Sequence, residues 1–510
     1  ILSGEIFAQV KDMIDLDAFS NEEIMVVSLG NGLRIATPFT VDRHEVRRSI
    51  DRVLNDPANF GGNFDHLTEN AFFSQIKVLL DVLEAVPGRK AVVLFTGRLG
   101  NGFEYDPYFK ELAALSATAR VALYPVDTAG LEIEPLYRPE QAGGPKKLAR
   151  LAVETGGRLT WNTNDLTLGY TRAQRDLACS YEIAFYDERP RLDRQRRVRV
   201  WLKRRGVHAY HASAYIFRSP ENKRRSLITA AYMAPDMFEA GTLEARVYPL
   251  RPRGEGKWET LVAIGFPITP DSFEQGLARW DLGGVVRKDT GTRIRTFNRR
   301  IEVEGSEASE PRRSVSFLEP VVLRPGRYQI SVVLSSRTAD RPLALTADLE
   351  LPRVPTRHPF LVGPILGRRA GDDVVILGKG LDDPGASEAD RIRTDRFFEP
   401  LLTQSAEKGV PVAALTQVCL VDPEGQIPDP IVRRQLIAAG GVVVGSLPPV
   451  SVELERTGRA RCGMLLDWIP TTDLSPGQYF VEARAASGTA THLGSETAGT
   501  RLEVVRPRSP

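Results

Sequence analysis

The run Ala91-Val92-Val93-Leu94-Phe95 constrains the fold more than any other stretch of this chain. It is apolar at every position, not at alternate ones, and it breaks at once into Thr96-Gly97-Arg98. Such a strand is covered on both faces, which is the environment of a parallel sheet lying between helices. Open sheets of that kind hold their ligands in the loops at the carboxyl ends of the strands. A metal-binding loop needs an oxygen donor at this point. Residues 97 and 98 are instead a glycine, with no side chain, and a permanent cation.

The surrounding segments repeat the same alternation. Helical spacing covers Leu2–Leu16, Glu45–Leu54 behind an Asp42 cap, and Phe72–Leu83 behind a Thr68 cap. Further helices are expected over Tyr108–Ala117, over Lys146–Thr155, and from Asp165 or Thr167 to Leu177. Between them lie strand patterns at 24–29, 33–37, 121–126, 158–161 and 181–185. Strands alternating with helices of this length predict an α/β layer with a mostly parallel sheet. A hairpin should follow, 197–202 against 207–217, turning at Arg205-Gly206.

From about residue 219 the period changes to short strands separated by Pro and Gly turns, the patterning of β-sandwiches. An internal echo divides this region. Leu323-Arg324-Pro325-Gly326-Arg327-Tyr328 recurs as Leu474-Ser475-Pro476-Gly477-Gln478-Tyr479, each copy launching a strand. Pro and Gly make the turn, and the Tyr ring can enter the core while its hydroxyl reaches backbone at the rim. The expected organisation is therefore α/β plus all-β: an α/β domain over 1–218, then two β-sandwich-like domains over 219–355 and 356–510, joined at Pro352–Pro359.

Bulk properties exclude several roles. With 67 basic and 65 acidic side chains the chain carries no global field for nucleic acid. No apolar stretch approaches the roughly 20 residues of a membrane span. Cys179, Cys419 and Cys462 form no CxxC pair, so neither a zinc knuckle nor a redox motif is available. Three unpaired thiols are the expectation, with a Cys419–Cys462 bridge as the alternative. No phosphate-binding G-x-x-x-x-G-K and no G-x-S-x-G occurs, and nothing pairs a nucleophile with a base. No enzyme activity is expected.

Residues 24–217 resemble the von Willebrand factor A domain of the bacterial VWFA-related type. The matching pieces are Phe39-Thr40-Val41-Asp42, Pro87–Phe95, Val121–Leu131, Leu151–Arg158 and Asn162–Leu166, in family order. The resemblance implies a Rossmann-like domain. In that family a metal site joins a D-x-S-x-S loop after the first strand, a Thr from a second loop and an Asp from a third. Here Gly97 stands at the third position, Thr68 is the candidate for the second, and the chain begins after the first strand. The expected first strand and its loop would lie upstream, together with any export signal.

The resemblance thus implies a metal-degenerate, non-enzymatic interaction or adhesion module, periplasmic or secreted, with a protein partner. Its loops 61–68, 96–108 and 129–144 would face that partner, and Asn63, Asp65, Thr68, Thr96, Arg98 and Asn101 are the candidate contacts. No cofactor is expected. The alternative is a ligand binder dependent on Mg²⁺, with its D-x-S-x-S loop in the upstream segment.

Other clusters read as structural. His208 and His211 would point to opposite faces of a strand and so cannot chelate one ion. The run Arg189–Arg205 holds nine Lys or Arg against one acid, Asp193, and reads as an exposed basic hairpin, with no nucleic-acid partner expected. Asp372, Asp373, Asp382, Asp383, Glu388 and Asp390 read as a solvated acidic loop, and Asp127 as a turn or cap residue at a strand end.

Overall fold

A computed structural model describes residues 22–29, 33–55, 69–96, 106–128, 143–183, 185–188, 190–239, 241–253, 256–288, 293–304, 313–355, 359–369, 374–378, 398–421, 428–457, 460–487 and 496–506. The architecture is mixed α/β followed by a β-rich region, in two compact units, Ile1–Phe238 and Glu239–Pro510. The expected helix over 2–16 and the acidic loop residues lie outside the described residues.

In the first unit, β1 (Ile24–Leu29) and β2 (Leu33–Thr40) form an antiparallel hairpin. Helix α1 (Arg43–Asn55) follows, capped as expected: the Asp42 carboxylate accepts from the backbone N–H of His44 at 2.9 Å and of Glu45 at 3.3 Å. Next come α2 (Glu69–Glu84), β3 (Lys90–Thr96), α3 (Asp106–Ala119), β4 (Val121–Asp127), α4 (Gly143–Thr155) and α5 (Thr167–Ala178). Strands β3 and β4 are parallel, in register from Lys90↔Val121 to Thr96↔Asp127.

Side chains alternate between the two faces of this pair. Val92, Leu94, Val121 and Leu123 join a core with Ile76, Leu80, Phe109 and Leu151 from three helices. Ala91, Val93, Ala122 and Tyr124 face Ala173 of α5. Both faces of β3 thus meet apolar side chains, although apart from Lys90 and Leu94 its residues are half-buried, whereas β4 is buried throughout.

Three strand expectations fail here. Residues 158–161 contribute only a single parallel bridge, Val126↔Thr160, so no ladder is offered to 181–185, and the described part of that segment is coil. The basic hairpin is shorter than its alternation suggests. Only β5 (Gln195–Arg197) and β6 (Ala214–Ile216) pair, and residues 198–213 belong to no strand. His208 and His211 therefore sit on coil, not on a strand.

The unit closes with α6 (Pro220–Met233), in a region read as the start of the first β domain. Ser219 accepts from the Asn222 N–H at 3.3 Å and Pro220 fills the first turn, where its missing donor costs nothing. Arg218, at the entry to α6, is ion-paired with both Asp81 and Glu84 of α2.

The second unit opens with β7 (Glu244–Arg253), β8 (Lys257–Ile268), β9 (Phe273–Glu274), β10 (Leu277–Lys288), β11 (Arg293–Glu304), β12 (Arg313–Leu323), β13 (Gly326–Ser336) and β14 (Leu343–Leu351). It continues with β15 (Phe360–Arg368), β16 (Val374–Gly378), β17 (Glu399–Pro400), β18 (Ser405–Glu407), β19 (Val412–Leu420) and β20 (Pro430–Ala438). Strands β21 (Val443–Ser451), β22 (Glu455–Thr457), β23 (Ala460–Ile469), β24 (Gly477–Ser487) and β25 (Glu496–Val505) complete it. Four sheets result, with strand orders β11-β10-β13-β14, β16-β12-β8-β7, β17-β15-β19-β23-β22 and β18-β25-β24-β20-β21.

This region is one compact unit, Glu239–Pro510; its first two sheets take their strands from before position 355, β16 excepted, and its last two from after it. Strand β16 crosses back to pair with β12 in parallel. The Trp258 indole donates to the Pro352 carbonyl at 2.8 Å, and its ring meets Phe360 edge-on at 6.0 Å. The largest core cluster runs from Leu243 through Phe360 to Cys462, crossing position 355 without interruption.

The repeated turn behaves as the sequence predicts. Gly326 and Gly477 both adopt positive φ, 144° and 156°. Tyr328 donates to the Arg324 carbonyl and Tyr479 to the Ser475 carbonyl, both at 2.8 Å. Each hydroxyl thus pins the turn four residues before it.

Candidate functional site

The carboxyl ends of β3 and β4 form the site that the sheet geometry offers. Thr96 and Asp127 lie side by side in register, and the Thr128 N–H donates to the Thr96 carbonyl at 3.1 Å. Asp127 is 2% exposed. Its backbone N–H donates to the Thr160 carbonyl at 2.9 Å, and the Thr160 N–H donates to Pro125 at 2.9 Å. These bonds extend the parallel pair by one residue and fix the rim.

Helix α5 enters the rim beside them. Asp165 accepts from the Thr167 N–H at 3.0 Å, as the sequence suggests for a helix start. Arg172 donates to the Leu159 carbonyl and the Thr160 hydroxyl, both at 3.1 Å. Tyr170 donates to Glu22 at 3.2 Å; burial first, then the Glu22 carboxylate, pushes its hydroxyl well above the usual phenol range. On the α5 face of β4, Tyr124 donates to Asp176, which also takes Arg158. Burial, reinforced by Asp176, raises the Tyr124 hydroxyl in the same way. These are positioning contacts that lock α5 to the strand pair.

Of the six candidate contacts, Thr96 is placed at this rim. Asn63, Asp65, Thr68, Arg98 and Asn101 lie outside the described residues, as does Gly97. A hard divalent cation needs about six oxygen ligands. Among the described residues no group of three His, Cys, Asp or Glu could hold a metal ion, and Asp127 is the one carboxylate at the ends of β3 and β4. The described rim does not by itself fit a Mg²⁺ site.

Two features depart from the leading expectations. Cys419 and Cys462 are bonded, correcting the expectation of three thiols. They lie directly opposite on β19 and β23, with Cα atoms 4.1 Å apart, while Cys179 is exposed and free. The second feature is a set of apolar side chains facing solvent around β5 and β6, among them Phe185, Tyr186 and Trp201. The strand alternation of 197–202 carried that signal, once the ladder proved too short to bury it.

In the second unit, a crevice lined by Leu250, Val362, Ile365, Leu415 and Met464 is apolar and holds little more than a water molecule. Among the described residues, no helix is long and apolar enough to cross a membrane.

No protein-family model matches this chain, and no curated protein matches it. Solved structures similar to parts of it include an aerotolerance-related membrane protein from Bacteroides fragilis, at 13% identity over 34% of this chain and 90% of that one, with a TM-score of 0.23. An ICAM-5 ectodomain fragment is similar at 13% identity over 52% of this chain and 54% of that one, TM-score 0.16. A calcium-binding mutant of β-glucuronidase 2 from Bacteroides uniformis is similar at 14% identity over 24% of this chain and 14% of that one, TM-score 0.16. This chain therefore spans a small part of the glucuronidase and about half of the ICAM-5 fragment. Likenesses at these scores carry no argument about fold or role.

Proposed function

We propose that this chain is a non-enzymatic, extracytoplasmic protein-interaction module, built on a metal-degenerate α/β unit of the VWFA-related type and carried on a β-sandwich region. The Cys419–Cys462 bridge supports the compartment most directly. Disulfides persist in oxidising surroundings and are rare in the cytosol. The helix–sheet–helix layering around β3 and β4 supports the α/β assignment, and the two parallel strands end side by side at Thr96 and Asp127. Loops on a rigid scaffold are where such folds place recognition. In this reading Thr96 and the loop that follows contact a protein partner, and the β-sandwiches act as spacers.

The test is affinity purification of the intact chain from the extracytoplasmic fraction of its native source, beside a Thr96→Asp/Arg98→Glu variant. The reading expects one protein retained by the native chain and lost with the variant, and no change in melting temperature with millimolar Mg²⁺ or Mn²⁺. No loop-dependent partner overturns it. A melting temperature raised by metal transfers the site to the metal-dependent alternative.

A further inference from the structure

The arm that continues β5 and β6 is exposed and remote in sequence from the loops after β3 and β4. Residues 198–213 are described but join no sheet; a backbone bond from Val198 to the Ser213 carbonyl at 2.8 Å is the last rung of the ladder. Past it, Val200, Leu202 and Val207 expose 37–46% of their surface, and Trp201 exposes 81%. Beside β5 and β6 lies Tyr186, 100% exposed, between Phe185 and Asp187. That strip is held in place: Phe185 packs edge-on against Tyr215 of β6 at 5.2 Å, and Asp187 is ion-paired with Arg196 of β5.

Charge accompanies the apolar surface. Among the described residues, no carboxylate is paired with Arg197, Arg199, Lys203, Arg204 or Arg205, and all five are exposed. The residues alternate, with Val198, Val200 and Leu202 against Arg197, Arg199 and Trp201. Residues 198–202 are coil in the free chain; drawn out as a strand against a partner, that period would set the aliphatic groups on one side and Arg197, Arg199 and Trp201 on the other. Exposed apolar groups ringed by Arg, Trp and Tyr mark protein contacts. The aliphatic row has nothing to meet on a phosphate backbone. A lipid surface is instead served by a one-sided helix, which this segment does not form.

We infer that residues 198–212 dock an acidic, extended segment of a partner protein, which pairs with the arm as an added β-strand. Main-chain groups supply the pairing, the partner's aliphatic residues cover Val200 and Leu202, and its carboxylates sit across from Arg197 and Arg199. This surface stands apart from the loop reading proposed above, so either can fail alone.

The probe is a blocked decapeptide of alternating Glu and Val, titrated into the intact chain and followed by tryptophan emission, with Trp201→Phe as the reference. The lysine–valine peptide is the charge control, and an oligo-dT strand and phosphatidylserine vesicles are the competing surfaces. The Glu–Val peptide should bind, shift the Trp201 emission to the blue, and weaken with added salt. Arg199→Glu/Arg204→Glu/Arg205→Glu should lower its affinity by roughly tenfold or more, while Thr96→Asp leaves it unchanged. The substituted side chains are exposed, and an unaltered melting temperature verifies the fold of each variant. No binding, equal binding of the Lys–Val peptide, indifference to the charge reversal, or tighter binding of oligo-dT or vesicles would each overturn the inference.

Discussion

Replacing Arg218 should be among the most damaging single changes in the α/β unit. Its side chain is 8% exposed and clamps Asp81 and Glu84, at 11% and 12%, tying the entry of α6 to α2. It also donates to the Ser226 hydroxyl at 2.7 Å. Arg218→Ala leaves two buried carboxylates, three residues apart on one helix, without their ion-pair partner and with only the weaker pull of Lys223 on Glu84. Breaking a buried pair in this way costs about 3–5 kcal/mol, and the lost hydroxyl contact adds about 1 kcal/mol. Burial already holds Glu84 above the ordinary carboxylate range against the lowering pull of Arg218, and Asp81 raises it further. Without Arg218 the value climbs more. A raised carboxylate binds its proton more tightly in the fold, so its stability contribution is lost as pH rises through the folded value. The Arg218→Ala deficit should accordingly be largest near neutral pH and shrink as pH falls toward 4.5. Every described α-helix lies in the first unit, so helical circular dichroism during urea unfolding reports that unit. Adding Glu84→Gln to Arg218→Ala should recover part of the loss. A deficit below about 1 kcal/mol, the range of exposed pairs, or one that does not change with pH, would refute the reasoning.

Other expectations are simpler to state. Cys419→Ser/Cys462→Ser opens a loop of 43 residues and should cost about 4 kcal/mol in the chain-entropy description, read as an earlier urea midpoint for the second unit. Tyr328→Phe and Tyr479→Phe should each cost about 1 kcal/mol. Tyr328→Ala should cost more than Tyr479→Ala, because the first ring is buried and the second half-buried. Burial alone raises Glu244, so Glu244→Gln should melt higher than the native chain near neutral pH, an advantage that vanishes as pH falls toward 4.5.

The legible parts of this fold were those where one local rule decides. The Asp42 cap, the covered strand at 91–95 and the two Pro-Gly-x-Tyr turns each depend on a few neighbouring residues. What stayed hidden depended on distant partners. Strands β10, β12 and β15 carry Gly283-Gly284, Pro320 and Gly363-Pro364, which read as turns. In the fold the Phe297 ring of β11 lies over Gly284, filling the place of a missing side chain. Conversely, 181–185 has the composition of a strand, but its described residues join no ladder among the described residues. The bond between Cys419 and Cys462 needed the β19–β23 register, which no spacing rule supplies. For the site, Thr96, read as the first residue after the strand, is the last residue of β3, whereas the exposed face around Trp201 emerged only when its strand pairing proved short. Helix α6 was missed although Ser219-Pro220-Glu221 announces it, because Gly and Pro turns dominate the sequence that follows.

The interaction reading is tested most directly by a photo-crosslinking amino acid at position 96 of the intact chain, irradiated in its native extracytoplasmic fraction, with the same group at the exposed Val322 as control. The account predicts a single protein adduct at position 96, absent at 322 and unaffected by a chelator. No adduct at 96, or one formed equally at 322, would contradict it.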